Sequence, residues 1–178
     1  MKSMRFKFSV EVYNQEYVIQ RWDEIEIAIR RSFESSTFSK ELSLEMVLDD
    51  TLHGYPKPLD GSLRPVVKNV KNIIAFDKND KIIGGIFSIS TSICEDEIQA
   101  VIGWFFTLPE LSNIHRVRVA DALVKRVHQE MYQAGCQRIV TEMGTQAGAS
   151  YLQKRFGYVH SPKPGKSNRW IFDLSTMS

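Results

Sequence analysis

Residues Leu108–Val140, "LPELSNIHRVRVADALVKRVHQEMYQAGCQRIV", contain one amphipathic helix that opens with positive charge. Its apolar positions repeat at helical spacing and predict one buried face, made of Ala120, Leu123, Val124, Val127, Met131 and Ala134, with His128 expected on the polar side. His115, Arg116 and Arg118 stand near the first turn, where the helix dipole is already positive. Exposed cations at that end cost about 0.3–1 kcal/mol each. We therefore expect something to offset this cost.

Two explanations of these cations stay open at this point. A bound anion would be stabilised by the positive end of the helix and by its free backbone N–H groups. Alternatively, the cations form a solvated patch whose charges pair with Glu110 or Asp121, which flank them in the sequence.

The helix lies between two predicted strands. Residues Ile98–Leu108 form an apolar run that ends at Pro109, because proline cannot donate to a strand ladder. Gly135 ends the helix, and Cys136–Met143 form the next strand. A strand, a helix and a second strand in this order predict a crossover with two parallel strands side by side and the helix packed on one face.

The remaining elements are predicted on both sides of this crossover. Ser39 is a plausible N-cap with Glu41 in the first turn of its helix, and Gly84 and Gly85 indicate a bulge or a close backbone approach. The order β-α-α-β-β-β-α-β-α-β-β predicts one α/β domain over residues 1–178, with a mixed sheet of the α+β kind between helices. The other elements are strand Arg5–Tyr13, helices Glu16–Phe33 and Ser39–Leu52, hairpin Val70–Ile93, helix Gln146–Phe156 and a final strand pair within Gly157–Leu174.

Composition excludes several classes of protein. The 178 residues are 43% hydrophobic and 25% charged, which is typical of a globular domain. A net charge of +2 is too small to indicate nucleic acid or an anionic membrane as a partner. The two cysteines, Cys94 and Cys136, do not make a disulfide framework. With no signal peptide and no long apolar run, the expected location is the cytoplasm.

The order of elements, with "GWFFTLP" before the basic helix and "YLQKRFGYV" after the next strand, resembles the GNAT acyltransferase superfamily. The phosphate loop of that family, Q/R-x-x-G-x-G/A, comes just before an apolar helix. Setting Leu123-Val124 on the apolar pair of the family places His115 at the first position and Arg118 at the first glycine. Ala120 then fits the Gly/Ala position.

A second motif of the family, N-x-x-A-x-x-x-Y-x-K-x-G-F, is similar to residues 146–158. Ala149 and Gly157 are kept, and Arg155 and Tyr158 are conservative replacements. Gln153 takes the place of the tyrosine that commonly protonates the leaving thiolate in the family.

The resemblance implies acetyl-CoA as the acyl donor and a cleft between two central strands that splay apart. In the family the pantetheine arm pairs with backbone of the first strand, and the pyrophosphate is held at the helix start. Carried over to this chain, the expected cofactor-binding residues are Phe106, Thr107, Leu108, His115, Arg116, Arg118, Val119, Ala120, Gln146, Ser150 and Gln153.

The resemblance also implies acid–base chemistry. An amine attacks the thioester directly, so the reaction needs a base for the amine and a proton for sulfur. Glu142, an isolated carboxylate in an apolar strand, is the expected base, with Asp96 and Glu97 as the other candidates. Tyr158 is the expected acid, with His160 on the same strand and water as the alternatives. Tyr151 lies about 200° around the helix from Gln153 and is not expected to replace the missing tyrosine.

The expected function is transfer of an acetyl group from acetyl-CoA to a primary amine of a small molecule or a protein. Two alternatives stay open: an inactive GNAT-like binding module, and an acyltransferase that takes a longer acyl chain in a pocket near Trp104. No metal is expected, and a homodimer is possible because GNAT-like proteins often dimerise. The mixed charges of the first two helices do not select an acceptor, and the loop Thr51–Pro65 is the candidate lid.

Overall fold

The fold is an eight-stranded sheet with helices on both faces. The computed structural model describes residues 5–37, 42–54, 69–94 and 96–177. Within this part of the chain, no helix is long and apolar enough to cross a lipid bilayer. The elements are β1 Phe8–Asn14, α1 Gln15–Gln20, α2 Trp22–Glu34, α3 Leu44–His53, β2 Lys71–Asp77, β3 Ile82–Cys94, β4 Glu97–Ile102, β5 Phe105–Thr107, α4 Asn113–Gln133, β6 Arg138–Glu142, α5 Gln146–Phe156, β7 Val159–His160 and β8 Arg169–Asp173.

The strand order is β1-β2-β3-β4-β6-β8-β7, and β5 pairs with β3 beyond the end of β4. The pair β4–β6 is parallel, and the other pairs are antiparallel. Helix α4 makes the crossover between β4–β5 and β6, as a parallel pair requires. The predicted mixed sheet, and the crossover at its centre, are therefore confirmed.

Two predicted elements are each divided in the structure. The helix expected over Glu16–Phe33 is interrupted at Arg21, whose φ and ψ of −106° and 25° separate α1 from α2. The strand expected over Ile98–Leu108 is interrupted by a β-bulge, because Gly103 and Trp104 both lie opposite Phe87. The Phe87 N–H donates to Trp104 O at 2.8 Å, and the Gly103 N–H donates to Phe87 O at 3.1 Å.

Strand β3 is also irregular opposite this bulge, and the buried side-chain amide of Asn72 stabilises the irregular backbone. Ser88 has a φ of 57° and Asn72 is fully buried. The Ser88 N–H donates to Asn72 Oδ1 at 2.9 Å, while Asn72 Nδ2 donates to Gln15 Oε1 at 3.2 Å. Gln15 Nε2 in turn donates to the backbone oxygens of Thr51 and Leu52 at 2.9 and 2.8 Å. This polar network joins β2, β3, α1 and the end of α3.

The start of α3 differs from the sequence-based expectation. Its N-cap is Ser43, whose Oγ accepts a hydrogen bond from the Met46 N–H at 3.2 Å. The expected cap Ser39 and the expected first-turn Glu41 lie outside the described residues. Most of the candidate lid, residues 55–65, also lies outside them.

Helix α4 packs its apolar face on the sheet, and the predicted close backbone approach occurs beneath it. A Cβ on Gly84 would lie 3.0 Å from Phe106 O and 3.1 Å from Val119 Cγ1, so glycine lets α4 and β5 come close to β3. His128 lies on the same buried face of the helix and is 5% exposed, contrary to our expectation that it lies on the polar side. Its position four residues after Val124 accounts for this burial.

His128 and Tyr158 form a polar pair in these apolar surroundings. His128 Nε2 and the Tyr158 hydroxyl are 3.0 Å apart, and Tyr158 is 2% exposed. The imidazole ring also stacks on Phe172, with ring centroids 4.1 Å apart. Burial lowers the pKa of His128 to about 4 and raises the pKa of Tyr158. Both groups are therefore neutral at pH 7.

This depressed pKa predicts a loss of stability in acid. Between pH 6.5 and pH 4 the unfolded chain protonates His128 while the folded chain does not, so the stability that depends on neutral His128 is present above pH 6.5 and lost as the pH falls. The loss attributable to this one group is about 3 kcal/mol over that range, at about 1.4 kcal/mol per pH unit. We expect urea denaturation of the His128→Gln variant to show a smaller decrease in unfolding free energy over this range than the wild type. His160→Gln, at an exposed histidine, is the control and should follow the wild type. Equal slopes for the wild type and the His128 variant would contradict the prediction.

Candidate active site

The two parallel strands at the centre of the sheet separate near their carboxyl ends. Ile102 and Thr141 are the last residues paired between β4 and β6. Beyond them β5 stays paired with β3, whereas β6 stays with β8, where Glu142 pairs with Arg169. The Met143 N–H also donates to Asn168 O at 3.0 Å, on the β8 side. A wedge therefore opens between β5 and the end of β6, as the predicted splayed pair requires.

Strand β5 presents backbone groups to this wedge that no described residue pairs with. The Leu108 N–H donates to Ile83 O at 2.9 Å, and Phe106 lies opposite Gly85 in the same ladder. Because backbone groups alternate in direction along an antiparallel strand, those of Phe105 and Thr107 point away from β3 and toward the wedge.

This geometry changes the set of residues expected to pair with a pantetheine arm. Thr107 has the expected orientation. Phe106 and Leu108 do not, because their backbone groups face β3, and their side chains are 4% and 3% exposed. Phe105 has the right orientation and was not predicted.

A narrow apolar cavity lies behind β5 at the point of separation. It is bounded by the sheet on one side and by α4 and α5 on the other. Thr141 and Tyr158 carry the only side-chain hydroxyls of the lining, which consists of Ile86, Ile102, Phe105, Val124, Val127, Thr141, Leu152 and Tyr158.

Tyr158 does not have the geometry expected of an acid. Its ring forms part of the cavity wall, but its hydroxyl is held by His128 and the phenol is almost wholly buried. Burial raises its pKa, which keeps the proton on the phenol rather than favouring its release. The structure therefore argues against the predicted catalytic role of Tyr158.

Helix α4 begins earlier than the family motif implies. Ser112 is its N-cap; the Ser112 Oγ accepts from the His115 N–H at 3.3 Å, and the Ser112 O accepts from the Arg116 N–H at 2.8 Å. The cap brings the following residues into regular helix from Asn113 onward. The helix therefore has its free N–H groups at Asn113 and Ile114.

The early start removes two of the predicted backbone donors. Val119 and Ala120 lie inside α4, where backbone N–H groups bond to carbonyls four residues earlier, and they are 0% and 8% exposed. The expectation that they present backbone N–H groups to a phosphate is wrong for this structure. Any contact from the motif region must come from side chains that project outward.

The cations of the first turns are partly placed by neighbouring residues. The His115 ring stacks on Phe6 with centroids 4.0 Å apart, which directs it along the surface of the N-terminal strand region. The Arg116 Nε donates to Thr107 Oγ1 at 3.4 Å, at the mouth of the wedge. Arg118 is exposed on the next turn.

The nearby carboxylates are bound elsewhere. Glu110 pairs with Arg31 of α2 at 2.9 Å. Asp121 accepts from the Tyr151 hydroxyl at 2.8 Å and pairs closely with Arg155, joining α4 to α5. Burial alone would raise the pKa of Asp121, but the hydrogen bonds and charge of Arg155 and the Tyr151 hydroxyl together outweigh it and lower the pKa.

The two arginines of the helix start therefore have no acidic partner among the described residues. Among residues 5–37, 42–54, 69–94 and 96–177, no carboxylate lies within 4.0 Å of the guanidinium of Arg116 or Arg118. The positive end of α4 is not neutralised by Glu110 or Asp121, so the solvated-pair explanation loses both of its proposed partners.

The carboxylate Glu142 lies at the open end of β6. Side chains alternate along a strand, so Glu142 points to the face opposite Thr141. It is exposed and pairs with Lys166 at 3.2 Å. Glu97 pairs with Arg138 at 3.2 Å at the opposite end of the parallel pair, and Asp96 precedes it there. Glu142 is therefore the candidate base that lies beside the wedge.

The predicted contacts on α5 occupy its outer surface. Gln146 and Gln153 are exposed and Ser150 is half-buried, whereas Ala149 and Leu152 are buried. A cofactor role for Gln146, Ser150 and Gln153 stays a prediction.

The protein is similar to known proteins in its fold but not in its sequence. The sequence matches no family model and no curated protein. Among solved structures it is similar to the GNAT family N-acetyltransferase YhbS from Escherichia coli, solved in complex with CoA, with a TM-score of 0.63 and 17% identity over 98% of this chain and 85% of that one. A GNAT family acetyltransferase from Brucella melitensis, solved with acetyl-CoA, has a TM-score of 0.60 and 13% identity over 95% of this chain and 89% of that one.

A third similar structure is part of a larger protein. It is the GCN5-related glucosamine N-acetyltransferase region of a fungal multi-domain GH3 β-N-acetylglucosaminidase, with a TM-score of 0.62 and 11% identity over 90% of this chain. The chain spans 18% of that protein. At these identities the likeness establishes the fold. The chain has the fold of the GNAT N-acetyltransferases.

Proposed function

We propose that the protein transfers an acetyl group from acetyl-CoA to a primary amine by direct attack of the amine on the thioester. One observation carries the proposal: the central strands separate beyond Ile102 and Thr141 and leave unpaired backbone on β5 beside a positive helix start that no described carboxylate neutralises. An extended amide-containing arm and a diphosphate are the chemical complements of these two features.

The donor would be held in two places. The backbone groups of Phe105 and Thr107 offer hydrogen bonds to the amides of the pantetheine arm, in the manner of an added strand. Arg116 and Arg118 offer charge-assisted hydrogen bonds to the diphosphate, with the free N–H groups of the first helical turn beside them. Side chains of the helix would then replace the backbone loop that holds the diphosphate in the family.

Acyl transfer also requires a hydrogen-bond donor for the oxyanion, a base for the amine and a proton for sulfur. An N–H on the open edge of β5 supports the oxyanion that forms when the amine attacks. Glu142, on the opposite face from the cavity, accepts the amine proton directly or through water. Neither cysteine is required, because no covalent intermediate forms, and burial raises the pKa of Cys136. With Gln153 unable to donate a proton and the Tyr158 hydroxyl bound to His128, we assign protonation of the thiolate to water.

An inactive binding module is the competing hypothesis. Its support is the conversion of the motif region to helix, which removes the backbone donors of Val119 and Ala120. The amine acceptor, and the preference between acetyl and longer acyl groups, are to be found by assaying panels of amines and acyl-CoA donors.

Binding of the donor separates these hypotheses. We expect isothermal titration with acetyl-CoA to give a dissociation constant in the micromolar range or below, and Arg118→Glu to weaken it at least about tenfold through loss of a charge-assisted hydrogen bond. Lys125→Glu makes the same charge change on the same helix about 10 Å away and should change the affinity far less. No binding by the wild type would overturn the enzyme proposal, whereas equal effects of the two variants would remove Arg118 from the site.

The base assignment is tested by the dependence of rate on pH. We expect Glu142→Gln to lower the turnover number about 10²-fold and to flatten the rise of rate with pH, with the KM for acetyl-CoA unchanged. Glu97→Gln removes a carboxylate at the far end of the parallel pair and should leave the profile as it is. A Glu142→Gln profile of wild-type shape would reject the assignment.

A further inference from the structure

Thr141 is a buried residue whose hydroxyl is open to a cavity and has no hydrogen-bond partner in the described part of the chain. The residue is 5% exposed, and its side chain lines the cavity at the apex of the wedge. The other hydroxyl of that lining, on Tyr158, is bound to His128 at 3.0 Å. Polar groups in apolar surroundings are nearly always paired with protein atoms, water or a ligand, so this hydroxyl is available to a partner that enters the cavity.

Packing does not explain the hydroxyl. Seven of the eight lining residues are nonpolar or have their polar atom turned to another partner, so valine would fill the position of Thr141 with the same shape. A β-branched apolar residue also suits a central strand as well as threonine does. Without a partner among the described residues, the hydroxyl gives the free protein no more stability than an apolar group of the same shape. A ligand that enters the cavity can supply the missing partner.

The position of Thr141 along the wedge identifies the part of the donor it would meet. The Arg116 side chain contacts Thr107 at the mouth, where the diphosphate would lie. An arm that enters there and follows β5 passes Thr107 and then Phe105 before it reaches the Ile102–Thr141 pair. The end of the arm that reaches this pair is the one that carries sulfur.

We infer that the Thr141 hydroxyl donates a hydrogen bond to the sulfur of the bound donor and to the thiolate that leaves, an inference that rests on the proposed function. In the reaction, a C–N bond forms between the amine and the acyl carbon. The C–S bond breaks, and its electron pair stays on sulfur. Thr141 keeps its own proton and stabilises the developing charge; the amine proton goes to Glu142 or water, and sulfur takes its proton from water.

The inference is tested without an acceptor by comparing the binding of CoA with that of desulfo-CoA, which lacks the sulfur. We expect wild-type protein to bind CoA about three- to tenfold more tightly than desulfo-CoA, the range of one ordinary hydrogen bond. Thr141→Val should abolish this preference, and Thr141→Ser, which keeps the hydroxyl, should retain most of it. A preference that survives in Thr141→Val, or that is missing in the wild type, overturns the role of Thr141. Failure of the wild type to bind either ligand overturns the proposed function instead.

The melting temperature of Thr141→Val is a second test. If the hydroxyl served only the fold, this variant would melt at a lower temperature than the wild type. Because the hydroxyl has no partner among the described residues of the free protein, we expect Thr141→Val to leave the melting temperature unchanged or to raise it by up to about 2–4 °C. In turnover assays the same variant should lower the turnover number about tenfold or more, while the KM for acetyl-CoA changes by no more than the three- to tenfold expected for CoA binding. A lower melting temperature together with unchanged turnover would show that the hydroxyl serves only the fold.

Discussion

The hydrogen bond from the Ser88 N–H to the side chain of Asn72 is the constraint on which the wedge depends. It stabilises the positive φ of Ser88, which bends β3 out of regular pairing. This bend lies beside the bulge at Gly103 and Trp104. Gly103 is required there, because a Cβ on it would lie 2.8 Å from Ser88 Cβ. With both strands irregular at one level, β5 leaves the path of β4 and stays with β3. The open edge of β5 therefore depends on the buried hydrogen bond between Asn72 and Ser88.

The positive charge at the start of α4 is the second feature on which the proposed donor site depends. A Ser112 cap lengthens the helix and uses the backbone groups that the family places against phosphate. The same change leaves Arg116 and Arg118 projecting from the first turns without an acidic partner among the described residues. In the proposed donor site, charge on flexible side chains would replace the backbone amides of a glycine-containing loop. Binding built this way depends on salt more than a backbone site does.

Hydrophobic periodicity was sufficient for the large elements and insufficient for the site. The stripe along α4 and the apolar strands on either side of it predicted the parallel crossover, because these patterns are set by burial alone. The same stripe contained the signal for His128, which follows Val124 by four residues, but its polarity led us to the solvent face. The interruption at Arg21 carries no proline or glycine. Arg21 bonds locally to Tyr17 and Glu24 and also reaches Asp80 of the β2–β3 turn at 3.6 Å, a tertiary contact that the local sequence does not show.

The finer features of the site depend on which residues of each element face the wedge. The sequence alone does not show this orientation. One extra residue at the bulge reverses which backbone groups face the wedge, so Phe105 and Thr107 face it while Phe106 and Leu108 do not. The start of α4 depends on which of several polar residues caps it, and Ser112 was hidden by the stronger basic signal that follows. Thr141 appears in the sequence as an ordinary strand residue, and only its place at the last paired position distinguishes it.

The central claim is that the open edge of β5 receives the arm of acetyl-CoA. A crystal structure of the complex tests it most directly, through the distances between the amides of the arm and the backbone N and O atoms of β5. The account predicts hydrogen bonds within 3.2 Å at Phe105 or Thr107, with the diphosphate beside Arg116. A donor bound elsewhere on the molecule, with the edge of β5 still unpaired, would contradict it.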